Sequence, residues 1–151
     1  MKRQNDAAND AIINYLYQPY YASLMVESCK QHIQRLKDEQ QQAARILNSE
    51  SGCGRPKWRK GKLEDLTAQL LDYIDIYAQN IVRYLVVTSD VQKAIDGIKN
   101  PLYRYILQAR YINLKSWTEI TKTTNYCRSS IMRYHKLALA EISGSVTKEI
   151  E

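Results

Sequence analysis

The chain has 151 residues, with 22 Lys and Arg against 16 Asp and Glu, for a net charge of +6. A hydrophobic fraction of 44% is enough for a core and argues against global disorder, and no run approaches the ~18 apolar residues of a membrane span. Three Cys, at 29, 53 and 127, make neither a disulfide framework nor a zinc site, because their number is odd and only His32 lies at ligand spacing from one of them.

In chain order, Ala7 to Tyr17 is expected to form a short helix with Ile12, Ile13 and Leu16 on one side. Pro19 breaks or kinks it, since it has no amide donor and disfavours helix in the preceding residue. From Tyr20 the pattern is helical for a long way. Ala22, Val26, Cys29, Ile33, Leu36, Gln40, Ala43 and Leu47 alternate spacings of four and three, a heptad seam with one polar position.

Residues 48–62 break that pattern and are expected to be a basic loop, with five Lys or Arg against one acid. Arg55, Lys57, Arg59, Lys60 and Lys62 surround Trp58 and are candidates for nonspecific contacts to DNA phosphates. A solvated hairpin tip with Trp58 folded back is the alternative.

A second long helix is expected from Leu63, with a seam through Leu63, Thr67, Leu70, Ile74, Tyr77, Ile81, Tyr84, Thr88, Val91, Ile95 and Ile98. Two such seams joined by a break predict an antiparallel coiled-coil hairpin over residues 20–98, supporting self-association into a homo-oligomer. Asp96-Gly97 and Asn100-Pro101 punctuate the chain, and Leu102 to Tyr111 is expected to be a supporting helix.

Ser116 to Ile142 is then read as a helix-turn-helix. Ser116 and Glu119 have the spacing of a capping box. Thr123-Thr124 are poor at continuing a helix, and Asn125 suits a left-handed turn. The next helix is expected from Cys127 or Arg128, although Cys is not a favoured N-cap. Its apolar face is Ile131, Tyr134, Ala138, Leu139 and Ile142, while Arg128, Ser129, Arg133 and Lys136 carry the other face with no acid before Glu141. Residues 100–142 hold seven Lys or Arg against two acids, whereas residues 63–99 hold three against six. That asymmetry suits a polyanion binder with a separate scaffold. Residues 143–151 read as a polar tail.

Asn100-Pro101-Leu102-Tyr103-Arg104-Tyr105-Ile106-Leu107-Gln108-Ala109-Arg110-Tyr111-Ile112 followed by Ser116-Trp117-Thr118-Glu119-Ile120 resembles the C-terminal part of the RinA/ArpU-type phage transcriptional activators. That part is itself similar to the promoter-reading helix-turn-helix of bacterial sigma factors, region 4. The close match covers about residues 100–142; upstream only the layout of long helices is similar. Asn stands at 113 and 125 where the family usually has Gly, and Cys127 where it usually has Ser. The resemblance implies groove-facing positions at Arg128, Ser129 and Arg133, and backbone contacts near Ser116, Trp117 and Lys136; Ser130 is counted with them among the DNA-binding residues.

These readings give an all-α protein: a long antiparallel helical (coiled-coil) hairpin in residues 1–99, a helix-turn-helix domain in 100–142, and the tail. The resemblance implies a sequence-specific DNA-binding activator of phage or prophage late genes, acting on double-stranded DNA with host RNA polymerase in the bacterial cytoplasm. The alternatives are a packaging protein like a small terminase subunit, or a structural coiled-coil protein without nucleic-acid function. No enzyme, cofactor, metal or membrane partner is expected. His32 and His135 have no neighbouring nucleophile, Asp72 and Asp75 lack further ligands, and the five Gly form no phosphate loop. The region Met1–Asp6 leads into no apolar signal segment.

Overall fold

The computed structural model of the chain describes residues 2–49 and 57–150, and the side chains of residues 7–49 and 60–145. All described elements are helices: α1 (Lys2–Leu16), α2 (Gln18–Ser49), α3 (Lys57–Asp96), α4 (Pro101–Leu107) running into a π-helical turn (Gln108–Ile112), α5 (Trp117–Thr124) and α6 (Arg128–Ile150). None of the described helices is long and apolar enough to cross a membrane. The contacts divide the chain into two compact units, Met1–Ala22 with Tyr84–Glu151, and Ser23–Arg83. The expected division at residue 99 therefore does not coincide with them. Leu16, from the N-terminal helix, is fully buried in one cluster with Val91, Ile95, Leu107, Ala138 and Ile142, so burial rather than chain order decides which residues belong together.

In the terminal unit, Pro19 separates α1 from α2 by a single residue, Tyr17. The Tyr17 amide donates to the Ile13 carbonyl at 3.0 Å and the Tyr21 amide to the Tyr17 carbonyl at 3.1 Å. The missing Pro19 donor thus leaves a short interruption, with helical bonds on both sides.

α4 starts on Asn100, whose Oδ1 accepts the Leu102 amide at 2.9 Å, with Pro101 in the first turn. The Arg104 guanidinium donates twice to the Ile98 carbonyl, at 2.7 and 3.2 Å, tying the end of the α3–α4 link to α4. A second cluster of Ile106, Ala109, Ile120 and Ile131 gathers α4, the π-helical turn, α5 and α6 around one point. In that turn the Asn113 amide bonds back to the Gln108 carbonyl at 2.9 Å, and Ala109 and Tyr111 reach different clusters.

In the two-helix unit, α2 buries the seam read from the sequence: Cys29, Ile33 and Leu36 are buried, and Val26, Gln40, Ala43 and Leu47 half-buried. The expected α3 seam is buried or half-buried at Leu63, Leu70, Tyr77, Ile81, Tyr84, Thr88, Val91, Ile95 and Ile98, and departs at two positions. Thr67 and Ile74 are exposed, while Leu66 is buried and Tyr73 and Asn80 are half-buried. Two stripes share Leu63, Leu70 and Tyr77, and the contacts with α2 decide between them. The His32 and Tyr73 rings lie 3.9 Å apart, and the Asn80 amide donates to Cys29 Sγ at 3.2 Å. Gln40 donates to Thr67 Oγ1 at 2.8 Å. Across these three contacts, α3 positions fall as α2 positions rise.

Two expected boundaries move. Helix α2 continues to Ser49 and α3 begins at Lys57, so Lys57–Lys62 are helix rather than loop. Lys and Arg are good helix formers, and they outweigh the one Gly at 61. Arg55, like Cys53, lies outside the described residues, as do the side chains of Lys57, Trp58 and Arg59. The expected tail at 143–151 also differs, because α6 continues to Ile150. Ile142 anchors it, and Ser145 Oγ satisfies itself on the Glu141 carbonyl at 3.1 Å.

Candidate nucleic-acid interface

Helix α5 begins as the sequence predicts. The Glu119 amide donates to Ser116 Oγ at 3.3 Å, and the Ser116 amide donates to Glu119 Oε2 at 2.7 Å. Both halves of the capping box are present. The Ser116 amide and hydroxyl hold the Glu119 carboxyl below its usual range. Asn125 closes α5 with a left-handed backbone, φ 59°, a conformation Asn tolerates better than most residues. Asn125, Tyr126 and Cys127 are the whole link to α6.

Cys127 occupies the N-cap position, its carbonyl accepting the Ile131 amide at 3.1 Å. Its Sγ lies 3.1 Å from Ser129 Oγ and 3.2 Å from Ser130 Oγ. Those two hydroxyls, with the Ser130 amide, pull the thiol down to about 7. A sulfur can therefore stand in for the usual cap oxygen, because the following serines orient toward it.

Helix α6 has one buried and one open face. Ile131, His135, Ala138, Leu139 and Ile142 point inward. Ser129, Arg133 and Lys136 are exposed and fall together on the opposite side at spacings of four and three. Arg128 is exposed at the start of the helix, and Ser130 is half-buried. The Arg133 guanidinium lies 5.3 Å from the centre of the Tyr134 ring, which also has the Tyr126 ring at 5.4 Å and the Tyr103 ring at 6.1 Å. Glu141, the first acid of α6, points elsewhere: it accepts the Lys99 amide at 2.8 Å. The open face of the first turns is consequently cationic and free of carboxylates.

Beneath α6 lies a polar stack that sequence reasoning did not find. Tyr111 hydroxyl and His135 Nε2 share a bond of 2.8 Å. Trp117 sits edge-on to the His135 ring at 5.0 Å, and the Arg110 guanidinium lies 4.9 Å from the Trp117 ring centre. Arg110 also donates to Tyr17 hydroxyl at 3.1 Å and to the Lys115 carbonyl at 3.2 Å. Burial, with help from Arg110 and Lys136, pushes His135 down to about 4, so the ring is neutral at physiological pH. Burial also raises the Tyr111 hydroxyl. The contacts join residues 5 to 93 positions apart, so no local motif announces them. Leu114 adds a left-handed backbone, φ 54°, costly for a branched residue and one position after the Asn113 where a turn residue was expected.

The expected site residues therefore separate into two sets. Ser129, Arg133 and Lys136 are brought together on the open side of α6, with Arg128 exposed at its first turn but off that stripe. Ser116, Trp117 and Ser130 are engaged inside the module, in the cap, the ring stack and the Cys127 contact respectively. Two cations counted in the basic segment, Arg104 and Arg110, are likewise spent on internal carbonyls and a tyrosine. Lys122, exposed on α5, is a cation the site assignment left out. Lys60 and Lys62 are exposed on the first turns of α3. Comparison with protein-family models, curated proteins and solved structures gives no match.

Proposed function

We propose that the chain is a sequence-specific DNA-binding transcriptional activator of phage or prophage late genes, acting at a promoter with host RNA polymerase. In this reading α5 and α6 are a helix-turn-helix, and residues 20–98 are an antiparallel helical hairpin. The observation that carries it is the acid-free cationic face of α6, opposite the buried face and presented after a three-residue link. A helix of this kind fits the major groove with its N-terminal residues against base edges. Arg128, Ser129 and Arg133 supply donors there, and the positive helix end adds to them. Arg133 can pair with guanine through two parallel bonds, whereas Lys136 is a point charge suited to phosphate.

The internal engagement of Ser116 and Trp117 alters their part. They set the angle of α5 against α6, and any contact they make to the duplex goes through the backbone. The cations at 55–62 supply salt-dependent, sequence-independent affinity. The resemblance of residues 100–142 to the RinA/ArpU-type activators supports the assignment to late-gene activation.

Footprinting on the native genome, with and without host polymerase, tests the reading. Protection confined to a few promoter-proximal sites, strengthened by polymerase, is the expected result. Protection at a single packaging-type site by a high-order ring would replace activation with packaging. No protection on any duplex would leave the module as a structural helix pair.

A further inference from the structure

A cavity of about 390 Å³ is lined by Tyr17, Tyr20, Tyr21, Arg110 and Leu114. All five residues belong to one compact unit, Met1–Ala22 with Tyr84–Glu151. Four of the chain's twelve Tyr fall within residues 15–21, and three of those line this space. Tyr17, Tyr20 and Tyr21 stand at spacings of three and four, so they share one side of the chain where α1 gives way to α2. Their ring centres lie 5.7 to 6.3 Å apart. Tyr21 is 50% exposed and Leu114 47%, so the cavity opens at the surface.

The cation in this cavity lacks a countercharge. Arg110 is half-buried. Its Nη1 donates to the Lys115 carbonyl, its Nη2 to the Tyr17 hydroxyl, and its guanidinium lies over Trp117. These three partners are neutral, and none of the five lining residues is an acid. Arg110 Nε is buried with no hydrogen-bond partner. A guanidinium has five N–H donors, so its internal contacts leave it short of acceptors as well as of charge. Partial removal from water makes that shortage costly and strengthens the pull on an anion. The Tyr17 hydroxyl accepts from Arg110 and so keeps its own hydrogen to donate. Leu114 adds an apolar rim. Its left-handed backbone, φ 54°, holds the side chain out at the cavity rather than in a core, and strain of this kind gathers at sites that clamp a ligand.

We infer that the cavity binds a small aromatic anion, a carboxylate or phosphate monoester whose charged end meets Arg110 and Tyr17 while its ring packs against Tyr20, Tyr21 and Leu114. Either anion can take paired bonds from a guanidinium, and a flat ring gains from tyrosine faces and edges. A bare inorganic anion would leave the apolar walls in water. A neutral ring would leave the charge of Arg110 uncompensated. The volume lies at the small end of ligand pockets, which suits one ring system with its acid group.

The inference does not rest on DNA binding, and its test contains no duplex. Isothermal titration calorimetry of the full chain at fixed salt uses phenylacetate and adenosine monophosphate as probes. At least one should bind at one site per chain with a dissociation constant below about 1 mM. Tighter binding of phenylacetate assigns the site to carboxylates, and tighter binding of the nucleotide assigns it to phosphate monoesters. Inorganic phosphate and benzyl alcohol should each bind about ten-fold more weakly or worse. Arg110→Gln should weaken the better probe by about ten-fold or more. Tyr21→Ala should weaken it by about five-fold and Leu114→Asn by about three-fold. Tyr21 and Leu114 are largely exposed, so these two variants should keep the helical circular dichroism even where Arg110→Gln disturbs the fold. Absence of binding by both probes overturns the inference. So does equal affinity for inorganic phosphate or benzyl alcohol, or full affinity in both Tyr21→Ala and Leu114→Asn.

Discussion

The terminal unit and the two-helix unit bury their apolar residues to different depths. In the first, Leu16, Val91, Ile95, Ile106, Ile120, Ile131 and Ile142 all reach 0% exposure, because helices from both chain ends close over them. In the second, the best-buried side chains, Leu36, Leu66, Cys29 and Ile33, retain 5–8%. A pair of helices can shield one stripe of each but cannot enclose it. The unit that contains α5 and α6 thus encloses its core, while the two-helix unit leaves apolar side chains exposed.

The contrast predicts, first, unequal costs for core truncation. Ile106→Ala should destabilise by about 3 kcal/mol or more, since its site cannot collapse. Leu36→Ala should cost about 2 kcal/mol or less, because water already reaches its edge. Denaturant unfolding measures both, and equal costs would remove the distinction. Hydrogen exchange sharpens it: amides of α2 should exchange faster than those of α6 around Ile131–Ile142.

The next effect is pH dependence of the terminal unit. The folded His135 titrates near 4, below its ordinary 6.5, so the folded state holds fewer protons than the unfolded state between those values. Its neutral burial contributes fully above about pH 6.5 and is lost as pH falls toward 4, by about 3 kcal/mol in all. His135→Gln, which keeps a polar partner for Tyr111, should flatten that part of the stability curve. An unchanged slope between pH 6.5 and 4 would show that His135 is solvated in the folded protein. A smaller effect is expected at the α5 cap: Ser116→Ala should cost about 1 kcal/mol, with Ser116→Asp largely retaining stability.

What could be read in advance follows from the range of the interactions. The capping box, Asn125 and the start of α6 rest on residues within three or four positions of one another, and each is visible as a local pattern. The buried face of α6 was legible for the same reason. The departure of the α3 seam at Thr67 and Ile74 was not, because α3 is apolar on two faces there and contacts with His32 and Cys29, more than 40 residues away, choose between them. Nor was the Arg110–Trp117–His135–Tyr111 stack, whose partners meet only after folding. The persistence of α6 through Gly144 was hidden by a composition that reads as tail, and the left-handed Leu114 by a side chain that gives no hint of it.

The central claim is that the open face of α6 reads bases. The direct test compares Arg133→Ala with Lys136→Ala on a randomised-site duplex library at fixed salt, after circular dichroism confirms equal helicity. Arg133→Ala should relax preference at one base pair by about 1–3 kcal/mol, while Lys136→Ala weakens all sequences about equally. Uniform loss from both substitutions, or no loss from either, would contradict base reading by this helix.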